Sequence, residues 1–328
     1  MHILLISHEL DFSGAPIALL QLAKSLLRLN FYVSVASLNA GPLGMYFIES
    51  GAKQHIDSKK AEEYDLIITN TIVSLPAAIR YSEGSKKLVS WIHETEHHIN
   101  YHGLSPKQFG FDSIKNAIFV ANFQIRQFDQ WMPITKKYKL NNCVTIPKNM
   151  TPYKSEIPYF VCSGPWGERK SQIRLIQLLV KLKFYPEIHF IGANKPNNIF
   201  GDKLVFPGSL VHEAALSRVA GSMGVISCSR DEAQPLIAIE AALMKIPIML
   251  SDIPAHRELK TLIPDVVLFN PDEVESFAFA LQALNDKLKD EKQLLKMQND
   301  AFLAFNEVAF DRNVLKLINE ISFFLRSD

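Results

Sequence analysis

The stretch Ser227-Cys228-Ser229-Arg230-Asp231-Glu232-Ala233-Gln234-Pro235-Leu236-Ile237-Ala238-Ile239-Glu240-Ala241-Ala242 changes character twice. A β-branched run ends near Cys228, a polar loop carries Glu232, and Pro235 opens an apolar helix expected to run to about Lys245. Strand, loop and helix in that order form one half of a parallel α/β unit, whose ligands sit at the C-terminal ends of the strands. The first amides of such a helix, at Leu236 and Ile237, point back toward the loop and suit an anionic diphosphate. From Leu236 to Met244 the only charged side chain is Glu240. A carboxylate buried there without a partner would be heavily penalised, so it needs either a structural Arg or Lys or a ligand.

The same alternation fills the rest of the chain. Strands are expected at 3–7, 33–37, 66–69, 88–92, 118–121 and 144–146 in the first half. In the second half they fall at 160–163, 188–191, 205–206, 225–227, 247–250 and 266–269. The first helix is readable in detail: Pro16 suits its first turn, and Leu19, Leu22, Ala23, Leu26 and Leu27 line one face opposite Gln21, Lys24 and Arg28. The fold class is therefore α/β, two doubly wound, Rossmann-like domains that leave a cleft at their strand ends. Residues 147–158 hold three prolines among polar residues and read as the linker. The expected domains are 1–152 and 153–328, with the last helix free to pack back on the N-terminal domain.

Composition narrows the class. At 328 residues and 48% hydrophobic the chain can fill two cores, and a formal net charge of +1 argues against a nucleic-acid partner. Cys143, Cys162 and Cys228 form no CxxC and are odd in number, which fits buried, reduced thiols. The run from Met1 to Ser7 has no basic flank, and no stretch approaches the ~18 apolar residues of a membrane span. A soluble, cytoplasmic protein is expected. Between Ser105 and Lys148 the basic residues Lys107, Lys115, Arg126, Lys136, Lys137, Lys139 and Lys148 face Asp112 and Asp129, seven against two, a local +5. That run reads equally as a solvated surface or as peripheral contact with an anionic membrane, at its inner face.

Two glutamates separated by seven residues around a Pro-Leu helix start resemble the donor motif of retaining GT-B glycosyltransferases of the bacterial lipopolysaccharide and capsule type, glycosyltransferase group 1. The resemblance implies that Glu232 lies beside the donor sugar and Glu240 binds the ribose hydroxyls. Ile246-Pro247-Ile248-Met249-Leu250-Ser251-Asp252 and Glu258 resemble the family's next strand and glutamate. Phe160-Val161-Cys162-Ser163-Gly164-Pro165-Trp166-Gly167-Glu168-Arg169-Lys170-Ser171-Gln172 resembles its strand and phosphate loop, with Lys170 at the lysine that grips the pyrophosphate. Pro165 stands where the family usually has arginine and Ser171 where it often has glycine, and Arg169 is the candidate to supply the missing charge. Ser13-Gly14 resembles the glycine loop near the donor phosphate. Trp91-Ile92-His93-Glu94 resembles an element whose histidine faces the sugar.

The resemblance implies a metal-independent, retaining hexosyltransferase of polysaccharide biosynthesis, without cofactor. Its partners are a nucleotide diphosphate sugar and a glycan or lipid-linked glycan acceptor. No Asp-x-Asp occurs, so Lys170, Arg169 and the helix start must stabilise the leaving diphosphate. No second carboxylate is identifiable for a double displacement, which favours front-face attack with the leaving phosphate taking the acceptor's proton. Two alternatives stand beside this reading. One is a non-catalytic nucleotide-sugar-binding protein. The other is a zinc peptidase using His93-Glu94-Thr95-Glu96-His97, although the residues before His93 read as a strand rather than the helix that motif requires.

Overall fold

The computed structural model describes all residues except 56–59, 84–86, 104, 106, 198, 200 and 328. They fall into two compact units, Met1–Cys143 with Phe305–Asp328, and Val144–Ala304.

The first unit runs β1 (His2–Ser7), α1 (Gly14–Arg28), β2 (Tyr32–Ser37), α2 (Gly44–Glu49), β3 (Lys53–Gln54), β4 (Leu66–Asn70), α3 (Leu75–Ser82), β5 (Leu88–Ile92), α4 (Glu96–His102), β6 (Asn116–Phe119), α5 (Asn122–Phe128) and β7 (Lys136–Lys139). Its seven strands are ordered β3-β2-β1-β4-β5-β6-β7, with every pair parallel. The central strands β4 and β5 are buried along their whole length, as a sheet covered on both faces requires. One core gathers Leu4, Ile67, Leu88, Ile92, Phe119 and Phe128.

Two expected strands in this unit are corrected. Strand β6 starts at Asn116 and ends at Phe119, so it lies two residues nearer the N-terminus than 118–121. Residues 144–146 form no strand, and the last strand is Lys136–Lys139 instead. Its sequence, Lys-Lys-Tyr-Lys, lacks an apolar run because β7 is an edge strand, where lysines discourage further pairing. Lys137 bonds Asp129 at 2.9 Å and Lys136 lies 5.2 Å from the Tyr138 ring centroid, so part of the local positive charge is already engaged.

The second unit runs β8 (Tyr159–Ser163), α6 (Gln172–Lys181), β9 (Glu187–Ile191), β10 (Leu204–Gly208), α7 (His212–Ala220), β11 (Gly224–Ser227), α8 (Leu236–Leu243), β12 (Ile248–Ser251), α9 (Pro254–Leu262), β13 (Val267–Phe269), α10 (Val274–Lys287) and α11 (Glu291–Phe305). All six expected strands are present, in the all-parallel order β10-β9-β8-β11-β12-β13. Phe160, Phe190, Ile226, Met249 and Phe277 centre its core. The direction of winding reverses between β1 and β4 in the first sheet and between β8 and β11 in the second. Those are the points where an open α/β sheet leaves a crevice for ligand.

The last helix, α12 (Glu307–Ser327), belongs to the first unit and packs on α1. Phe310, Val314, Leu317, Ile318 and Ile321 are buried, each contributing about 1.5–3 kcal/mol. Arg28 at the end of α1 reaches across to Asp311 with two 2.8 Å hydrogen bonds.

Candidate functional site

In the second unit the loops after β8 and β11 meet at the reversal of winding. Lys170 Nζ donates to Glu232 Oε1, and Arg169 Nη1 donates to Glu232 Oε2 at 3.2 Å and to the Asp231 carbonyl at 3.1 Å. Ser229 Oγ is a third donor to this carboxylate, reaching Oε1 at 2.8 Å. Glu232 is nearly sealed from solvent, with 9% of its surface exposed. Burial alone would raise its carboxyl, but Lys170 and Arg169 outweigh it and bring it down to about 2. Glu232 is thus a fixed anion between two cations, too weak a base to take a proton near neutrality.

Local backbone explains two sequence features of this loop. Gly164 has φ +128°, and a Cβ there would lie 2.6 Å from Lys170 Cε, so glycine leaves room for the lysine stem. Ser171 caps α6 in the left-handed region, φ 52° and ψ 37°, a conformation that glycine adopts without penalty. The family's frequent glycine at this place therefore has a backbone reason, and this chain holds a serine there under strain.

Helix α8 begins at Leu236, with Pro235 as its N-cap. The amides of Leu236 and Ile237 make no hydrogen bond among the described residues. Glu240 is buried on this helix, and its Oε1 accepts a 2.7 Å hydrogen bond from Nε2 of His212, the first residue of α7. That bond raises the His212 pKa against the opposing effect of burial. The side-chain partner of Glu240 is a histidine, neither the structural Arg or Lys nor the ligand between which the sequence left the choice open.

His256, in the first turn of α9, is fully buried. Its Nδ1–H donates to the Ser251 carbonyl at 2.7 Å, and Nε2 has no hydrogen-bond partner among the described residues. Burial lowers its pKa, while the charge of Glu232 acts in the opposite sense. Ser229, His212 and His256 were missed by sequence reading. The available signal was their position: each falls at the C-terminal side of a strand or in the helix turn that follows it.

The first unit gathers a second polar group of residues at its own strand ends. Gly14 opens α1 after the N-cap Ser13, and Asn70 Nδ2 bonds the Ala15 carbonyl at 3.0 Å, tying that helix start to the end of β4. His93 follows β5, its ring 4.5 Å from that of Trp91, and its Nε2 is sealed without a partner. Burial, then His8, lower its pKa to about 3, so His93 is neutral. Glu94 accepts 3.1 Å bonds from the amides of Ile72 and His93, and burial pushes it up to about 7. Thr71 sits at φ +81°, unusual for a β-branched residue, with its hydroxyl 3.1 Å from His8 Nδ1.

The zinc-peptidase alternative finds no support in this geometry. His93 lies beyond a strand and His97 in α4, so they do not share a helix face, and Glu94 is held by backbone amides. Among the described residues no three His, Cys, Asp or Glu side chains cluster to hold a metal ion. Cys143, Cys162 and Cys228 are free and buried. Among the described residues no helix is long and apolar enough to cross a membrane.

Residues 1–149 match the model of glycosyl-transferase family 4. No curated protein matches the chain significantly. Solved structures do. HepE of Anabaena, in complex with UDP-glucose, aligns with TM-score 0.77 at 16% identity over 98% of this chain and all of that one (100%). A glycosyltransferase of Rickettsia africae aligns with TM-score 0.73 at 18% identity, covering 98% of each chain. Sucrose-phosphate synthase of Thermosynechococcus elongatus gives TM-score 0.72 at 16% identity, again over 98% of each. At such identities the likeness is one of fold: two Rossmann-like units in the GT-B arrangement of strands. The chain thus has the GT-B fold, and its residues 1–149 are similar to glycosyl-transferase family 4.

Proposed function

We propose that this protein is a retaining, metal-independent hexosyltransferase whose second unit binds a nucleoside diphosphate sugar. One observation carries the reading: Lys170, Arg169 and Glu232 converge at the β8–β11 reversal, in the same unit as the unpaired α8 amides of Leu236 and Ile237. Two cations and a helix start are the means to hold a diphosphate and stabilise the charge it gains as the sugar departs. The complex of the similarly folded HepE with UDP-glucose supports a nucleotide sugar as the ligand. Glu240 is assigned to the ribose and Glu232 to orienting the sugar.

Retention by front-face attack fits the electrostatics. Glu232 is tied into a cation cluster that suppresses its basicity, so it is unsuited to act as a general base or free nucleophile. The leaving phosphate then accepts the acceptor's proton, and Lys170 neutralises the diphosphate as the glycosidic bond breaks. The acceptor is a glycan or lipid-linked glycan. The test is a thermal-shift screen of nucleotide sugars, followed by product analysis. A matched donor should raise Tm and be transferred with its anomeric configuration kept. Inversion would refute the mechanism, and binding without transfer or hydrolysis would favour a non-catalytic nucleotide-sugar-binding protein.

A further inference from the structure

Glu240 stands on an otherwise apolar helix, yet its carboxylate is only half used. His212 Nε2–H occupies Oε1, while Oε2 makes no hydrogen bond among the described residues and is not sealed from solvent. The donor comes from a different helix, 28 residues earlier in the chain, and 38% of the His212 side chain is exposed. Its Nδ1 likewise makes no hydrogen bond among the described residues. A carboxylate on a short two-rotor stem turns about χ until something fixes it. Here the imidazole fixes it.

Resting on the assignment of Glu240 to the ribose, we propose that His212 is a positioning residue for nucleotide recognition. It pins Oε1 and so presents Oε2 as the one wholly free acceptor oxygen, which makes the carboxylate favour one hydroxyl of the vicinal pair over the other. A free carboxylate can accept from both hydroxyls of a diol through its two oxygens. Each carboxylate oxygen carries two lone-pair sites, and with one of those on Oε1 taken by the N–H donor a second hydroxyl must compete with the imidazole for the charge of that oxygen. The chain therefore reads one end of the diol strongly and the other weakly, and the histidine sets which end.

The test measures Kd by calorimetry for UDP and its 2′-deoxy and 3′-deoxy counterparts, or for the ADP or GDP set if UDP does not bind. The proteins are wild type, His212→Ala, His212→Gln and Glu240→Gln. Wild type should lose about tenfold in affinity for one deoxy analogue and little for the other, as expected for one charged hydrogen bond. In His212→Ala the untethered carboxylate should lose this asymmetry, and His212→Gln, whose amide can donate to Oε1, should restore part of it. A structural loosening alone would weaken all three nucleotides together and keep the ratios; that result in His212→Ala overturns the proposal. If Glu240→Gln also keeps the wild-type ratios, the ribose assignment itself has failed. If Glu240→Gln abolishes them while His212→Ala does not, only the role of His212 falls.

Discussion

Replacing Lys170 by alanine removes one of two cations from a carboxylate that has almost no water to fall back on. Glu232 is held at about 2, against 4.5 for an unperturbed side chain. That difference corresponds to about 3 kcal/mol of stability. Because the folded value is depressed, the contribution is complete above the unfolded pKa and fades as pH falls from there toward 2. Without Lys170, burial is the dominant influence and favours the neutral acid, with Arg169 and then His256 opposing it. Lys170→Ala should therefore cost about 3 kcal/mol at pH 7, the lower end of the range for breaking a buried ion pair. The cost should shrink between pH 7 and pH 4 as Glu232 takes up a proton in the variant. Adding Glu232→Gln should recover most of it, since no buried charge is then left without its partner. Urea unfolding followed by circular dichroism, fitted to allow separate transitions of the two units, measures each variant. A Lys170→Ala protein as stable as wild type at pH 7, or a cost that does not change in acid, would refute the reasoning.

Three further outcomes are expected. Glu232→Gln frees both cations, so calorimetry should find free nucleoside diphosphate bound at least as tightly while kcat with the full donor falls; weaker nucleotide binding with normal kcat would reverse the assigned roles. Ser171→Gly relieves a left-handed residue at the start of α6 and should raise stability by about 0.5–1 kcal/mol, read from the urea midpoint; a loss would mean that the serine side chain outweighs its backbone strain. Turnover should persist in EDTA, because Lys170, Arg169 and the start of α8 supply the positive charge; activity lost in EDTA and restored by a divalent ion would end the metal-independent mechanism.

Much of the fold was legible because parallel strands buried on both faces leave dense apolar runs. Strands β8, β9, β11 and β12 were recovered for that reason, whereas β10 and β13 were recovered although they are only partly buried. Strand β7 was not, since Lys136, Lys137 and Lys139 carry the polar signature of an edge. At the site, the loop carrying Glu232 and the helix carrying Glu240 stood out locally, as a carboxylate on an apolar helix always does. Lys170 and Arg169 were legible as site residues by resemblance, but which residues pair with these glutamates was not. Lys170 and Arg169 lie 62 and 63 residues before Glu232, and His212 lies 28 before Glu240, distances at which only the sheet order decides who meets whom. The left-handed Ser171 was visible as a departure from a family pattern, but its cause, a φ of 52°, belongs to the three-dimensional backbone.

Helix α12 has a consequence for how the protein is made. The first unit is assembled from the two extremes of the described chain, residues 1–143 and 305–328, while the second is one uninterrupted segment. During synthesis, therefore, the unit that emerges first must wait for its final piece. At ~5–20 residues per second, the roughly 160 intervening residues take on the order of 10–30 seconds to appear. Throughout that interval α1 lacks its partner α12, on which Phe310, Val314 and Ile318 are buried in the finished fold. The second unit can close on itself as soon as its segment clears the ribosome. Maturation is then expected to run against the order of translation, with the N-terminal unit begun first and completed last, and with chaperone binding concentrated on nascent chains that stop short of residue 305.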